Sequence, residues 1–250
     1  MERLFLHEEI SAYKTFADPI EIPEIISKGL SPKIVLREYQ EEAFRNFIIN
    51  FNKSKNKQIH NLFHMATGSG KTVIMAGLIL YLYTKGYRKF LFFVNQTNVL
   101  EKTIENFINP LSNKYLFNET LEYLGNNINI KRVNNFSGGN IDDIEIIFTT
   151  TQKLHMDLFE AKENSITYDD FENNKIVFIS DESHHINSLT KKPTKDEAEA
   201  TKSWEYSVTN ALYRNRDSMM LEFTATCLSG DSKNADRFKS GRTGARKRRF

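Results

Sequence analysis

The stretch Met65-Ala66-Thr67-Gly68-Ser69-Gly70-Lys71-Thr72 joins a predicted strand, Leu62–Met65, to a predicted helix, Lys71–Tyr83. Its glycines allow the backbone to curl so that several N–H groups point at one anion, and the N-terminus of the helix adds positive potential. A strand, a glycine-rich loop and a helix in this order are typical of a phosphate-binding loop. The stretch therefore predicts a strand–loop–helix unit that binds a nucleotide.

Two side chains of this loop have predicted contacts of their own. Lys71 would reach the β- and γ-phosphates of a nucleotide, and the Thr72 hydroxyl would be a ligand of Mg²⁺. Four further positions are predicted to hold the phosphates: Thr67, Gly68, Ser69 and Gly70. The strict pattern has glycine where Met65 stands, and the alternative interpretation is a flexible Gly-Ser turn before a helix.

Short apolar runs alternate with longer amphipathic stretches along most of the chain. Several of the runs are continuously apolar, as strands of a parallel sheet covered on both faces must be. The predicted strands are Leu62–Met65, Phe90–Val94, Ile128–Val133, Glu145–Phe148, Ile176–Ile179 and Met219–Phe223. The predicted helices are Lys71–Tyr83, Thr97–Ile108, Gln152–Ala161 and Glu197–Tyr213. This alternation predicts a doubly wound α/β fold, with a mostly parallel sheet and helices on both faces.

An acidic pair, Asp181-Glu182, directly follows the apolar run that ends at Ser180. A carboxylate at the C-terminal end of a buried strand near a phosphate loop can hold Mg²⁺, which is the role predicted for Asp181. Glu182 is then placed to polarise the water that attacks the γ-phosphate. We predict that His184 hydrogen-bonds near that phosphate. The alternative is a metal pair with His185, but adjacent histidines on an extended segment point in opposite directions.

Composition excludes few classes of protein. The only cysteine is Cys227, so no disulfide can form within the chain, and a reducing, intracellular compartment is predicted. The longest apolar run, Val73 to Tyr83, has 11 residues, too few to cross a bilayer. Residues 231–250 hold eight Lys or Arg and two Asp, a local charge of +6. Because the net charge of the whole chain is +2, residues 1–230 carry a charge of about −4. Net charge therefore does not decide whether the chain binds nucleic acid.

The motifs resemble those of superfamily 2 helicases of the DEAD/DEAH type, whose second motif reads Asp-Glu-x-His or Asp-Glu-x-Asp. Asp181-Glu182-Ser183-His184 matches it. The resemblance implies a RecA-like domain that uses ATP and Mg²⁺. It also implies that Gln40, in Leu36-Arg37-Glu38-Tyr39-Gln40, reads the adenine edge through paired hydrogen bonds. A solvent-exposed helical glutamine is the alternative for that position.

Three further blocks resemble the family in the expected order. Phe92-Phe93-Val94-Asn95-Gln96-Thr97 resembles motif Ia, and Phe148-Thr149-Thr150-Thr151-Gln152-Lys153-Leu154 resembles motif Ib. These motifs imply contacts to a nucleic-acid backbone through Asn95, Gln96, Thr150 and Gln152. Thr224-Ala225-Thr226 resembles motif III, so Thr224 and Thr226 are expected to couple the nucleotide state to the grip on nucleic acid.

The same combination of motifs is similar to the restriction subunit of type III restriction enzymes. That likeness favours DNA over RNA, with contacts to the backbone rather than to bases, and implies a methyltransferase or specificity subunit as partner. It leads us to expect an N-terminal arm or accessory segment (1–35), a RecA-like ATP-binding domain (36–227) and a basic, disordered tail (228–250). The second RecA-like domain of such motors is not expected within this chain.

Three functions remain open from the sequence. One is a DNA-stimulated ATPase that translocates or unwinds once a second domain is present. Another is a module that binds ATP, Mg²⁺ and DNA but hydrolyses ATP slowly or not at all. A different phosphate-loop class, such as a nucleotide kinase or transporter ATPase, is the third. The features that weigh against it are Asp181-Glu182-Ser183-His184, Gln40 and Thr224-Ala225-Thr226. The basic tail could bind DNA phosphates or could simply be a solvated end.

Overall fold

A computed structural model describes residues 6–54, 58–136, 138, 142–160, 163–181 and 206–225, together with the backbone of 246–249. Its strands are β1 (Ile59–His64), β2 (Lys89–Val94), β3 (Glu122–Tyr123), β4 (Asn126–Asn127), β5 (Ile130–Arg132), β6 (Ile144–Thr150), β7 (Ile176–Ser180), β8 (Met219–Thr224) and β9 (Arg246–Arg249). Seven of them form one sheet in the order β5-β6-β2-β7-β8-β1-β9, in which every neighbouring pair is parallel. The remaining two, β3 and β4, form an antiparallel pair.

Helices cover both faces of this sheet. They are α1 (Leu6–Lys14), α2 (Glu24–Gly29), α3 (Glu38–Lys53), α4 (Lys71–Thr84), α5 (Thr97–Ile108), α6 (Thr151–Phe159) and α7 (Tyr168–Asn173), and residues 206–213 are also helical. Within β2, Phe90 and Phe92 belong to the apolar cluster under α3, α4 and α5, whereas Leu91 and Phe93 belong to the cluster under α6 and α7. Alternate residues of one strand thus serve two cores. The predicted doubly wound α/β fold is confirmed.

Helix α4 is deeply buried, with ten consecutive buried residues from Ile74 to Tyr83. At its centre Gly77 lies so close to α3 that an added Cβ would be 2.5 Å from the ring of Phe44. Glycine is unfavourable inside a helix by roughly 1 kcal/mol relative to alanine, so its presence here reflects this close approach. In the described part of the chain, no helix is long and apolar enough to span a bilayer.

The predicted elements correspond to observed ones with small shifts at their ends. Helix α5 has the predicted bounds, and α4 extends the prediction by one residue. Of the predicted helix Glu197–Tyr213, the described part, 206–213, is helical, and 197–205 lie outside the described residues. Helices α1, α2, α3 and α7 and the pair β3–β4 were not predicted from periodicity.

Two segments at the ends of the chain contribute to the fold. In the expected N-terminal arm, Ile26 of α2 is fully buried in the main core, and Leu6 and Ile10 of α1 pack against Ile49 of α3. In the segment expected to be a disordered tail, residues 246–249 form β9, which pairs with the outer side of β1. Without β9, β1 would expose a row of unpaired backbone groups, and a segment of almost any sequence can bond to such an edge.

Candidate functional site

The phosphate loop and Asp181 lie at the same edge of the sheet. Strand β8 lies between β1 and β7, and all three run in the same direction. In the register, His64 at the end of β1 is opposite Thr224, and Ser180 at the end of β7 is opposite Glu222. The ends of β1 and β7 are thus separated by two strand spacings, about 10 Å. The sheet brings together the two predicted halves of a magnesium–nucleotide site.

The loop between β1 and α4 has the backbone shape of an anion cradle. Gly68 and Gly70 adopt positive φ angles of 78° and 80°, which glycine tolerates and other residues rarely adopt. The Met65 N–H donates to the Thr224 carbonyl at 2.9 Å, so the loop leaves the sheet only after that residue. Gly70 is the N-cap of α4, and the first turn of the helix contains no acidic residue. The positive end of α4 therefore faces this edge, and no carboxylate in the helix's own first turn compensates it.

Lys71, the first residue of α4, is only 9% exposed. Among the described residues its ammonium group has neither a hydrogen-bond acceptor nor an ion-pair partner. A mostly buried side chain whose ammonium group lies beside an open loop is placed to attract an anion. The position of Lys71, next to the open backbone of the loop, therefore favours an anionic ligand.

The residues around Lys71 fit a magnesium–nucleoside triphosphate. A Cβ added at Gly68 would meet nothing within 4 Å, so this side of the loop is open to a ligand. The buried Ser69 hydroxyl has no hydrogen-bond partner within the described structure. The Thr72 hydroxyl, which is partly exposed, and the Asp181 carboxylate, which follows β7, are the hard oxygen donors that Mg²⁺ prefers.

The first turn of α3 contacts the phosphate loop directly. Tyr39 Oη and Gln40 Nε2 both donate hydrogen bonds to the Ser69 carbonyl, at 2.8 and 2.9 Å. Gln40 is 5% exposed, and its Oε1 accepts from the Arg37 N–H at 3.0 Å. Each half of this amide therefore has one protein partner, which leaves one N–H and one lone pair for another group. No motif or spacing in the sequence indicated the Tyr39 contact.

A buried polar pair that the sequence interpretation missed joins β1 to β8 below the loop. His60 Nε2 and Glu222 Oε2 are 2.9 Å apart, and the two side chains are 13% and 5% exposed. The signal was present in the sequence, because Glu222 interrupts the apolar run Met219–Phe223. Its carboxylate lies inside the sheet rather than at the edge, so we assign the pair to holding the two strands together.

A family model described as type III restriction enzyme, res subunit, matches residues 33–229. The chain belongs to this family. It is 38% identical over 235 residues to the probable type III restriction-modification enzyme HindVIP Res subunit of Haemophilus influenzae, and the alignment covers 84% of this chain. The same alignment covers 45% of that protein, so this res-family chain spans less than half the length of its relative.

Three solved structures resemble the res-family chain in shape. The SWI2/SNF2 ATPase core of Sulfolobus solfataricus in complex with dsDNA has a TM-score of 0.46 and 14% identity, covering 85% of this chain and 36% of the other. The UvsW helicase of bacteriophage T4 has a TM-score of 0.45 and 14% identity, covering 90% of this chain and 62% of the other. A nuclease-deletion mutant of the type ISP restriction-modification enzyme LlaGI, in complex with a DNA substrate mimic, has a TM-score of 0.43 and 20% identity, covering 80% of this chain and 19% of the other.

The predicted nucleic-acid contacts of the res-family chain lie side by side. Strand β2 pairs with β6 so that Val94 is opposite Thr150, which brings the N-termini of α5 and α6 together. The Thr151 hydroxyl donates to Asn95 Oδ1 at 2.9 Å and so connects the two blocks. Thr150 is the N-cap of α6, where its hydroxyl oxygen accepts from the Lys153 N–H at 3.2 Å.

The remaining predicted residues divide into two groups. Gln96 and Gln152 are exposed at these helix starts, and Thr224 is buried at the end of β8, where its carbonyl holds the start of the phosphate loop. Three predicted residues lie outside the described part of the chain: Glu182, the predicted general base; His184, the predicted γ-phosphate contact; and Thr226, the second threonine of motif III. Their roles stay predictions.

Proposed function

We propose that the chain is the ATP-binding motor domain of a type III restriction enzyme res subunit, which binds magnesium–ATP and the DNA backbone. One observation carries the nucleotide part: Lys71 is buried at the positive end of α4 with no partner among the described residues. Family membership and the shared edge of the sheet support the same conclusion.

Each residue of the proposed nucleotide site has a separate task. The backbone from Thr67 to Gly70 surrounds the phosphates, and Lys71 neutralises them. Thr72 and Asp181 are the protein's magnesium ligands, directly or through water. Gln40 uses its remaining N–H and lone pair to recognise adenine. When bound, magnesium–ATP supplies the phosphoryl group for hydrolysis, for which Glu182 would be the general base and His184 a hydrogen-bonding neighbour.

The proposed DNA surface is formed by the starts of α5 and α6. Backbone N–H groups at two adjacent helix N-termini favour phosphate, and the amide side chains of Asn95, Gln96 and Gln152 add donors. The Thr150 hydroxyl proton is available as a further donor, because its oxygen is the part used in capping α6. These contacts would be to the backbone and would carry no base specificity. Thr224 and Thr226 would transmit the nucleotide state to this surface.

Hydrolysis is proposed to need a second RecA-like domain that supplies arginines to the γ-phosphate, since an arginine finger contributes a large factor in rate. A module that binds ATP and DNA without turnover is the alternative function. In the whole enzyme, a methyltransferase or specificity subunit is the proposed partner that recognises the site on DNA.

Binding and turnover separate these possibilities. We expect calorimetry to detect magnesium–ATP binding, and phosphate release to stay slow with or without single- or double-stranded DNA. Glu182→Gln should keep the binding and remove residual turnover. No ATP binding by the wild-type chain would refute the proposed function. Rapid DNA-stimulated hydrolysis would instead show that a second domain is not required.

A further inference from the structure

We propose that Tyr39 is a positioning residue for phosphate binding, which acts together with Gln40 by fixing the peptide between Ser69 and Gly70. The inference rests on the proposed function, because it concerns the same phosphate loop. It assigns a role to Tyr39, which lies within the block Leu36–Gln40 but has no predicted role there, and a second role to Gln40 besides adenine recognition.

The Ser69 carbonyl is the acceptor on which both side chains converge. Tyr39 Oη lies 2.8 Å from this oxygen and Gln40 Nε2 lies 2.9 Å from it. A carbonyl oxygen has two lone pairs, so the first turn of α3 uses both. Arg37 supports the two donors, because its Nη1 donates to Tyr39 Oη at 3.1 Å and its backbone N–H donates to Gln40 Oε1 at 3.0 Å.

Fixing this carbonyl also fixes the direction of an N–H group. In a planar trans peptide the C=O and the following N–H point in opposite directions. The peptides of the described chain include no cis bond, so the Gly70 N–H points away from Tyr39 and Gln40. It is then directed at the cradle that precedes α4, where it can donate to a phosphate.

Glycine makes this peptide easy to reverse. Gly70 has a φ of 80°, and without a Cβ it can adopt other conformations at little cost. If the peptide rotated by half a turn, the Ser69 carbonyl oxygen would face the anion and repel it. Two hydrogen bonds to that carbonyl oppose the rotation, so the loop is organised for phosphate before the ligand arrives.

The clamp, defined as Tyr39 and Gln40 on the Ser69 carbonyl, is also tightly packed. A Cβ added at Gly70 would lie 2.4 Å from Gln40 Nε2, so the amide rests directly on the glycine backbone. Tyr39 is 39% exposed, and its ring contributes little to the core. Removing only its hydroxyl should therefore weaken the clamp and leave the fold intact.

The test compares Tyr39→Phe with the wild-type chain and with Tyr13→Phe as a matched control. Tyr13 is 41% exposed, and its ring lies under Lys53 at the opposite end of α3 from the loop. Dissociation constants are measured by calorimetry for magnesium–ATP and by competition for magnesium–tripolyphosphate, which has no base. Losing one hydrogen bond should weaken both ligands equally, by about fivefold. The control should bind both as the wild type does.

Several results would overturn the inference. Unchanged binding by Tyr39→Phe, even with a lowered melting temperature in the absence of ligand, would leave Tyr39 a structural role only. A loss seen with ATP but not with tripolyphosphate would place Tyr39 at the base rather than at the phosphate loop. If the wild-type chain binds neither ligand, the proposed function fails as well, which is a different result from a variant that matches a binding-competent wild type.

Discussion

The two edges of the sheet differ in whether a mostly buried charged side chain has a partner within the described protein. At the edge where the strands begin, Asp143 is 1% exposed and is paired with Lys131 Nζ at 2.5 Å and Asn129 Nδ2 at 2.9 Å. At the edge where the strands end, Lys71 is 9% exposed and has no partner in the described part of the chain. A buried charge with internal partners is tolerated by the fold and is costly to unpair, whereas a cation beside an open loop is available for a ligand.

The pKa values at the first edge show how finely these charges are balanced. Burial alone would raise the pKa of the Asp143 carboxyl, but hydrogen bonds from Lys131 and Asn129 lower it below its ordinary value. Burial raises the pKa of the neighbouring Glu145, and the nearby Lys89 only partly offsets this effect. Lys89 itself donates to the Phe136 carbonyl at 2.8 Å and to Asn174 Oδ1 at 2.7 Å. Asp143 and Lys89 at this edge therefore have protein partners, and we assign them to stability.

The largest effect is expected for Lys71→Ala. Charge-assisted hydrogen bonds to phosphate are the strongest contacts in such a site, so magnesium–ATP affinity should fall by about 100-fold. The unliganded melting temperature should stay about the same, because no ion pair with another described residue is removed. Thermal unfolding with and without magnesium–ATP measures both. Lys85→Ala, at the other end of the same helix, is the control, and an equal loss of affinity there would contradict the comparison.

The second largest effect is expected for Gly70→Ala. The substitution forces a side chain to a φ of 80° and brings a Cβ to 2.4 Å from Gln40 Nε2, so we expect roughly tenfold weaker ATP binding and about 1–2 kcal/mol lower stability. The matched control is Gly86→Ala, just after α4. There φ is 82°, and the Cβ would meet only the end of the Lys175 side chain at 3.1 Å. Chemical denaturation should show a similar backbone cost for Gly86→Ala without any loss of binding.

Asp143→Ala should lower stability and leave ATP binding unchanged, the opposite of the result expected for Lys71→Ala. Removing the carboxylate leaves Asn129 and Lys131 without their acceptor, which should lower the free energy of unfolding by about 1–2 kcal/mol. Asp157→Ala removes a partly exposed pair with Lys153, one turn away on α6, and should cost about 0.5 kcal/mol. Urea denaturation provides both values. Weaker ATP binding by Asp143→Ala would show that the two edges are not separate in function.

The smallest expected effect is the pH dependence at the first edge. The pKa of Asp143 is lowered on folding, so its stabilising contribution is present above the unfolded value and is lost as the pH falls through the folded value. The pKa of Glu145 is raised, so its charged form weakens the fold above that pKa and the penalty disappears on acidification. Asp143→Asn should therefore flatten the loss of stability in acid, and Glu145→Gln should steepen it. Denaturation curves measured on the acid side of neutrality give the slope of the unfolding free energy against pH. A slope that changes in the same direction in both variants would contradict this assignment.

Most of the sheet could be predicted from the sequence because its strands are buried on both faces. Runs such as Phe90–Val94 and Ile176–Ile179 have no polar residue, and short runs of this kind are typical of strands in a covered parallel sheet. Helix α3 was harder to predict from the sequence, because its N-cap is Arg37, which is not among the residues that usually mark a helix start. Strand β9 could not be predicted at all, since Arg246–Arg249 has no apolar residue and pairs through its backbone.

The residues of the candidate site stay predictions, and the sequence indicated few of the contacts that the structure shows among them. The loop glycines are local signals, and parallel strands bring Asp181 to the same edge by topology. The hydrogen bonds from Tyr39 and Gln40 to Ser69 join positions 30 and 29 residues apart, and no periodicity records such a contact. The link between Asn95 and Thr151 spans an even longer separation of 56 residues.

Strand β8 has a further consequence for the width of the site. Because it lies between β1 and β7, the end of β1, where the phosphate loop begins, is two strand spacings, about 10 Å, from the end of β7, which Asp181 follows. If β1 and β7 were adjacent, these two ends would be only about 5 Å apart. One intervening strand thus leaves a gap wide enough for a phosphate and its metal ion.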